Sequence, residues 1–242
     1  GLYLSYLNNP LDYKAFLRRR FSKVYLPYII VILISALYFG MVEHVDVLMP
    51  LLGHLFLFKM FVPSLESSFG GQMWFISTII QFYLAWPLIV YLYRRGGGVI
   101  VSLGISLLWI IITTFTGLYE ERIWNSFFLQ YLWEFTLGMY LADKYFNNSS
   151  FIKLPSKRKL LLFMVIGLGI SGACGLLGGY YKSFNDIPSM IGYMSMALLI
   201  YKFRIPYLST FFEYTNKVSY EWYLLHILVF GAYHRFCGGY FP

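Results

Sequence analysis

The sequence predicts an all-α fold, a polytopic bundle of transmembrane helices, and three observations support this. Of the 242 residues, 59% are hydrophobic and 12% are charged, whereas soluble domains are nearer half apolar and a quarter charged. The apolar residues form continuous runs about as long as a bilayer core is thick, and not the short alternating segments of a β-barrel. The cationic residues gather at the ends of these runs, as topology determinants do.

The first clear apolar run covers residues 26–42. At a rise of about 1.5 Å per residue, it is just long enough to cross a hydrocarbon core of roughly 30 Å. A basic segment stands directly before it and consists of Arg18, Arg19, Arg20 and Lys23. The positive-inside bias places this segment in the cytoplasm and sets the direction of every later crossing. Residues 12–17 could open an amphipathic helix at the interface.

Six further crossings give about seven in total. Their approximate bounds are 73–93, 99–118, 126–142, 160–180, 188–201 and 218–233. Residues 50–63 are apolar but too short to span, so we expect a re-entrant or interfacial segment on the outer side. This topology leaves only four of the 19 Lys and Arg residues outside: Lys59, Arg122, Lys182 and Arg235.

Small residues recur every four positions in the fifth crossing, at Gly167, Ser171, Gly175 and Gly179. They line one helix face and allow close backbone contact with a neighbouring helix. We expect this face to serve helix packing.

Polar side chains inside crossings mark candidate functional positions, because they are costly in hydrocarbon. Gln81 lies in the second crossing, Glu134 near the middle of the fourth and His226 near the middle of the last. Tyr223 lies three residues before His226, so one helix face can present both to an internal cavity. The alternative is a neutral His226 satisfied by a neighbouring helix. Trp74 begins the second crossing at the outer interface, where an indole commonly anchors.

Several function classes are disfavoured by the residues present. The net charge of +8 invites a nucleic-acid interpretation, which we reject because the cations lie at the ends of crossings. Two cysteines, Cys174 and Cys237, make neither a disulfide framework nor a zinc set. The sequence has no metal-ligand spacing, no Gly-x-Ser-x-Gly elbow and no visible Ser-His-Asp set.

Four pieces, in order along the chain, together resemble the acyltransferase-3 family of bacterial integral-membrane acyltransferases. They are the basic segment with Pro27 in residues 16–27, the Trp span in 74–87, Phe-x-x-Gly-Met in 135–139 and Ser-Tyr-x-x-Tyr-Leu-x-His in 218–226. Two departures stand out. Lys23 occupies a position where Arg is usual, and Ile79 occupies one where many members carry Glu.

The resemblance implies transfer of an acyl group, usually acetyl, from cytoplasmic acyl-CoA to a hydroxyl of a cell-envelope glycan at the bacterial inner membrane. It implies no cofactor, since acyl-CoA is a co-substrate, and no metal. Its partners would be membrane lipid, acyl-CoA and the glycan. It implies that Arg20, Lys23 and Arg19 bind the donor. Cavity-lining roles fall to Trp74, Gln81, Glu134, Tyr223 and His226.

The family's first span, with a basic residue followed by a His, is not in this sequence. We therefore expect a single domain, 1–242, truncated at its N-terminus, with the catalytic His encoded upstream of Gly1. We expect such a fragment to be inactive by itself, and a truncation at the C-terminus is left open.

Two rival interpretations use the same residues without chemistry. A glycan or lipid exporter would pass its cargo through the same cavity, although the lack of an internal repeat disfavours a transporter built from inverted halves. A purely structural membrane scaffold predicts no cavity. A span with a basic residue and a His upstream in the gene would favour the enzyme.

Overall fold

The computed structural model describes residues 3, 6, 12–95, 97–147, 154–203 and 206–237. Within these residues every regular element is helical and no strand occurs, which confirms the all-α class. The α-helices are α1 Tyr13–Met41, α2 Leu48–Leu55, α3 Trp74–Arg94, α4 Gly98–Phe115, α5 Arg122–Asn125, α6 Leu132–Asn147, α7 Lys157–Leu177, α8 Asp186–Phe203 and α9 Pro206–Cys237. Short 3-10 turns lie at Lys59–Phe61, Pro63–Leu65, Gly71–Met73, Leu118–Glu120 and Gly179–Phe184.

Four helical segments of the described chain are long and apolar enough to cross a membrane. They are Tyr13–Met41, Gly71–Arg94, Gly98–Phe115 and Lys157–Leu177. They overlap the first, second, third and fifth predicted crossings. The helices that hold the other three, α6, α8 and α9, are not among them, so the count of about seven is not confirmed.

The basic segment and the first apolar run form one continuous helix. α1 begins at Tyr13, where the Asp12 carboxylate accepts a hydrogen bond from the Lys14 backbone N–H at 3.2 Å and caps the helix. The helix runs through Pro27 to Met41. The helix therefore starts well before residue 26, where the apolar run begins, and the cations share a rigid element with that run.

The predicted start of the fourth crossing at residue 126 is wrong for the helix. Residues 126–131 form turns, and the 16-residue α6 begins only at Leu132. The Ser106 hydroxyl of α4 donates to the Leu129 carbonyl at 2.7 Å and accepts from the Trp133 N–H at 3.2 Å. The Leu129 carbonyl and the Trp133 N–H are therefore paired with a side chain, whereas in a continuous helix they would pair with each other. Glu134, predicted near mid-crossing, consequently lies in the first turn of α6.

The chain falls into two compact units. The first contains residues 1–10, 93–125 and 129–215, and the second contains 11–92, 126–128 and 216–242. The core of the second unit joins α1 and α3 with the last helix. Its most buried apolar side chains are Tyr28, Ile32, Met73, Ile76 and Leu224.

In the first unit, α7 and α8 approach closely along small residues. A Cβ placed on Gly167 would lie 2.5 Å from the Gly192 nitrogen, and the Ser171 and Ser189 hydroxyls lie 2.8 Å apart. Gly175 lies two turns beyond Gly167 on the same face, and no described residue lies within 4 Å of a Cβ placed there. The predicted close packing is therefore confirmed for the Gly167 end of the face.

We expect Gly167→Ala to lower the free energy of unfolding by about 1–3 kcal/mol. The added methyl group would collide with the backbone of α8 and could be accommodated only if α8 moved. The measurement is thermal unfolding of the detergent-purified protein. Gly175→Ala is the matched control, since it adds the same group to the same helix in open space. Equal losses in the two variants would contradict the packing argument.

Candidate functional site

Arg20 differs from the other cations of the basic segment in its surroundings. It is half-buried, whereas Arg18, Arg19 and Lys23 are exposed. Its guanidinium carbon lies 5.8 Å from the centre of the Phe16 ring. Phe16 in turn stacks on Trp86 of α3, with ring centres 5.6 Å apart.

This stack gives Arg20 a fixed aromatic surface to lie against, because Phe16 and Trp86 are both buried. A guanidinium that lies over a ring keeps its N–H edge for other partners. Arg19, by contrast, turns back to its own helix and donates from Nε to the Ala15 carbonyl at 3.3 Å. Among the three predicted donor-binding cations, Arg20 is therefore the one that the fold orients, with the exposed Lys23 one turn further along α1.

The two tyrosines of the Ser-Tyr-x-x-Tyr pattern both donate to backbone carbonyls. Tyr220 donates to the Val24 carbonyl of α1 at 2.6 Å. Tyr223 donates to the Gln72 carbonyl in the loop before α3. These bonds hold this part of α9 against α1 and against the 66–73 loop. Tyr223 thus has a structural partner, and its predicted cavity-lining role stays a prediction.

His226 is held by its own helix, and its tautomer follows from its partners. Its Nδ1 lies 2.9 Å from the Tyr223 carbonyl oxygen and 3.2 Å from the Trp222 carbonyl oxygen. Carbonyls only accept, so in the neutral ring Nδ1 carries the proton and Nε2 carries the lone pair. Within the described part of the chain Nε2 makes no hydrogen bond. Among the described residues its partners belong to its own helix and not to the neighbouring helix considered above, and Nε2 offers a lone pair.

Trp74 and Gln81 lie on α3 in the same unit. Trp74 is half-buried at the first residue of the helix. The Gln81 amide oxygen accepts the Phe128 N–H at 3.1 Å, and one turn earlier Thr78 donates to the Ser126 carbonyl at 2.6 Å. Gln81 therefore secures residues 126–128 against α3. The predicted cavity-lining roles of Trp74 and Gln81 stay predictions.

Glu134 belongs to the other unit, where it interacts electrostatically with Asp186. The Gln130 amide donates to Asp186 Oδ2 at 3.0 Å. Burial raises the pKa of the Asp186 carboxyl above its usual range, and the Gln130 hydrogen bond opposes that rise. The predicted cavity-lining role of Glu134 likewise stays a prediction.

Sequence reasoning missed a buried polar network around His54. Both His54 and Lys59 are 0% exposed. The Tyr28 hydroxyl lies 2.6 Å from His54 Nδ1, and His54 Nε2 lies 3.0 Å from the Ser68 carbonyl. Lys59 Nζ donates to the Ser68 and Gly70 carbonyls at 3.1 and 3.4 Å. Two ionisable residues inside an apolar segment were the signal that could have indicated it.

The network fixes the protonation of His54. Because the Ser68 carbonyl can only accept, Nε2 carries a proton and Nδ1 accepts from the Tyr28 hydroxyl. Burial lowers the pKa of His54 to about 3, and the charge of Lys59 acts in the same direction. His54 is therefore neutral at physiological pH.

Comparison with known proteins supports the family resemblance of the four pieces described above. A family model described as "Acyltransferase domain" matches residues 1–240. No curated protein and no solved structure matches the chain. The match covers nearly the whole chain, including the basic segment, the Trp span and the late Ser-Tyr-x-x-Tyr-Leu-x-His stretch. The chain therefore belongs to the acyltransferase-3 family and is a membrane acyltransferase.

Proposed function

We propose that this acyltransferase moves an acyl group, acetyl in the simplest case, from cytoplasmic acyl-CoA to a hydroxyl of a cell-envelope glycan. We place it in the bacterial inner membrane as a multi-pass protein. The observation that carries the proposal is the lone pair of His226 Nε2, which no described residue engages and which lies in the same compact unit as the oriented Arg20. One group suits proton acceptance and the other suits a phosphate-bearing donor.

The geometry of Arg20 supports the proposed donor interaction. The phosphates of acyl-CoA suit the Arg20 guanidinium, because a guanidinium can form two parallel hydrogen bonds to phosphate. Lys23 lies three residues further along the helix, so its ammonium can contact the same ligand as a point charge. Because Phe16 and Trp86 are buried, they restrict the orientation of the Arg20 guanidinium before the donor binds.

The acceptor hydroxyl must lose a proton as its oxygen attacks the thioester carbonyl. The new bond joins that oxygen to the acyl carbon, and the carbon–sulfur bond of the thioester breaks. We propose that His226 Nε2 accepts the hydroxyl proton and that the proton leaves with the thiol of CoA. His226 would then do more than line a cavity, because it would take the base role that the resemblance gives to a histidine upstream of Gly1.

Thioester consumption by the purified full-length protein tests the proposal. Acetyl-CoA is supplied with the glycan extracted from the source organism's own envelope, and free thiol is measured with a thiol reagent. We expect thiol release that depends on the glycan, together with ester-linked acetyl on the recovered glycan. An exporter would consume no thioester with or without the extract, and that result would reject acyl transfer.

A further inference from the structure

The 66–73 loop, which runs from Glu66 to Met73 before α3, is held in an unusual backbone conformation. Phe69 and Gly70 both have positive φ, 51° and 114°. A non-glycine residue with positive φ is strained and persists only where its surroundings hold it. Here the buried His54 and Lys59 bind the carbonyls on either side of Phe69, and the Phe69 ring stacks on His54 with ring centres 5.2 Å apart.

Gln72, two residues further along this loop, has an unsatisfied side chain. Its backbone carbonyl accepts the Tyr223 hydroxyl, but its carboxamide nitrogen and oxygen are both buried and have no hydrogen-bond partner within the described residues. The carboxamide lies over Gly70, where a Cβ would collide with it. Buried polar groups are almost always paired, so an unpaired carboxamide needs an explanation.

The chemistry of the carboxamide indicates what it could bind. It offers an acceptor oxygen and two N–H donors side by side and carries no charge. A pair of neighbouring sugar hydroxyls can donate to the oxygen and accept from the nitrogen at the same time. A phosphate only accepts when fully ionised, so the acyl-CoA phosphates match this group less well than a sugar does.

We propose that Gln72 binds the hydroxyls of the acceptor glycan and that His54 and Lys59 are positioning residues that hold the 66–73 loop for this contact. On binding, the Gln72 carboxamide turns away from Gly70 and forms two hydrogen bonds with a sugar diol. The inference rests on the proposed function, since it assigns the acceptor side of that reaction.

Gln72→Met tests the contact, because methionine has a similar length and shape but no amide. Loss of two hydrogen bonds predicts a KM for the envelope glycan extract raised about ten- to thirtyfold. The KM for acetyl-CoA and the glycan-independent hydrolysis of the thioester should not change. The variant should melt no lower than the parent protein, since replacing an unpaired buried amide by an apolar group removes a desolvation cost.

The outcomes separate the inference from the proposed function. An unchanged KM for the glycan, with normal thioester consumption, overturns the role of Gln72 alone. A destabilised Gln72→Met protein also overturns it, because the side chain would then be holding the fold. Absence of glycan-dependent thiol release in the parent protein rejects the proposed function itself.

The positioning role of His54 is tested by a pair of substitutions. His54→Gln can still donate to the Ser68 carbonyl and accept from the Tyr28 hydroxyl, whereas His54→Leu can do neither. We expect His54→Leu to raise the KM for the glycan at least fivefold without changing the KM for acetyl-CoA, and His54→Gln to restore it. An equal effect on both substrates, or no restoration by glutamine, would leave His54 with a general structural role and overturn its positioning role.

Discussion

We expect Arg20→Lys in the full-length protein to raise the apparent KM for acyl-CoA about ten- to a hundredfold while the protein still inserts into the membrane. The substitution keeps the charge, and therefore the topology signal. It removes the planar guanidinium, which lies over the Phe16 ring and can bind phosphate with two hydrogen bonds. A lost charge-assisted contact typically costs about 1.5–3 kcal/mol, which corresponds to the stated change in affinity.

Arg18→Lys is the matched control for this prediction. Arg18 lies in the same basic segment and is exposed, and we assign it no ligand. Initial rates at varied acyl-CoA and saturating glycan should show a raised KM for Arg20→Lys and none for Arg18→Lys. If Arg20→Lys and Arg20→Gln both leave the KM for acyl-CoA unchanged, the basic segment serves topology alone and the donor site lies elsewhere.

The helices with the clearest apolar runs were predictable from the sequence, because hydrophobic length is a local property. α1, α3, α4 and α7 all contain such runs. The start of α6 was not predictable, since it depends on the Ser106 hydroxyl, which binds a carbonyl 23 residues away. A hydropathy pattern contains no information about a partner so distant in the chain.

The same limit explains why the His54 network was missed. His54 finds its partners at Tyr28 and Ser68, 26 and 14 residues away, and no periodic pattern links these positions. The late motif shows the opposite case. Its residues were recognisable as a pattern, but only the structure shows that Tyr220 and Tyr223 bind carbonyls while His226 keeps a lone pair. A motif can therefore combine residues that hold a helix in place with a residue that can take part in the reaction.

His226→Asn lowers kcat for acyl transfer by about 10²- to 10⁴-fold if Nε2 accepts the proton of the acceptor hydroxyl, which is the usual contribution of a positioned general base. Asparagine can still donate a hydrogen bond to a carbonyl one turn back, as Nδ1 of His226 does to Tyr223. It offers no basic lone pair. We therefore expect folded protein, an unchanged KM for acyl-CoA and a large loss of kcat.

The division of the effect between kcat and KM distinguishes this role from a structural one. Loss of a general base lowers kcat in folded protein and leaves the KM for acyl-CoA unchanged. Loss of packing lowers the melting temperature and changes both constants. His44→Asn is a suitable control, because His44 is exposed and asparagine tolerates its positive φ of 55°. If His226→Asn keeps its kcat, His226 only packs α9, and another group must take the proton.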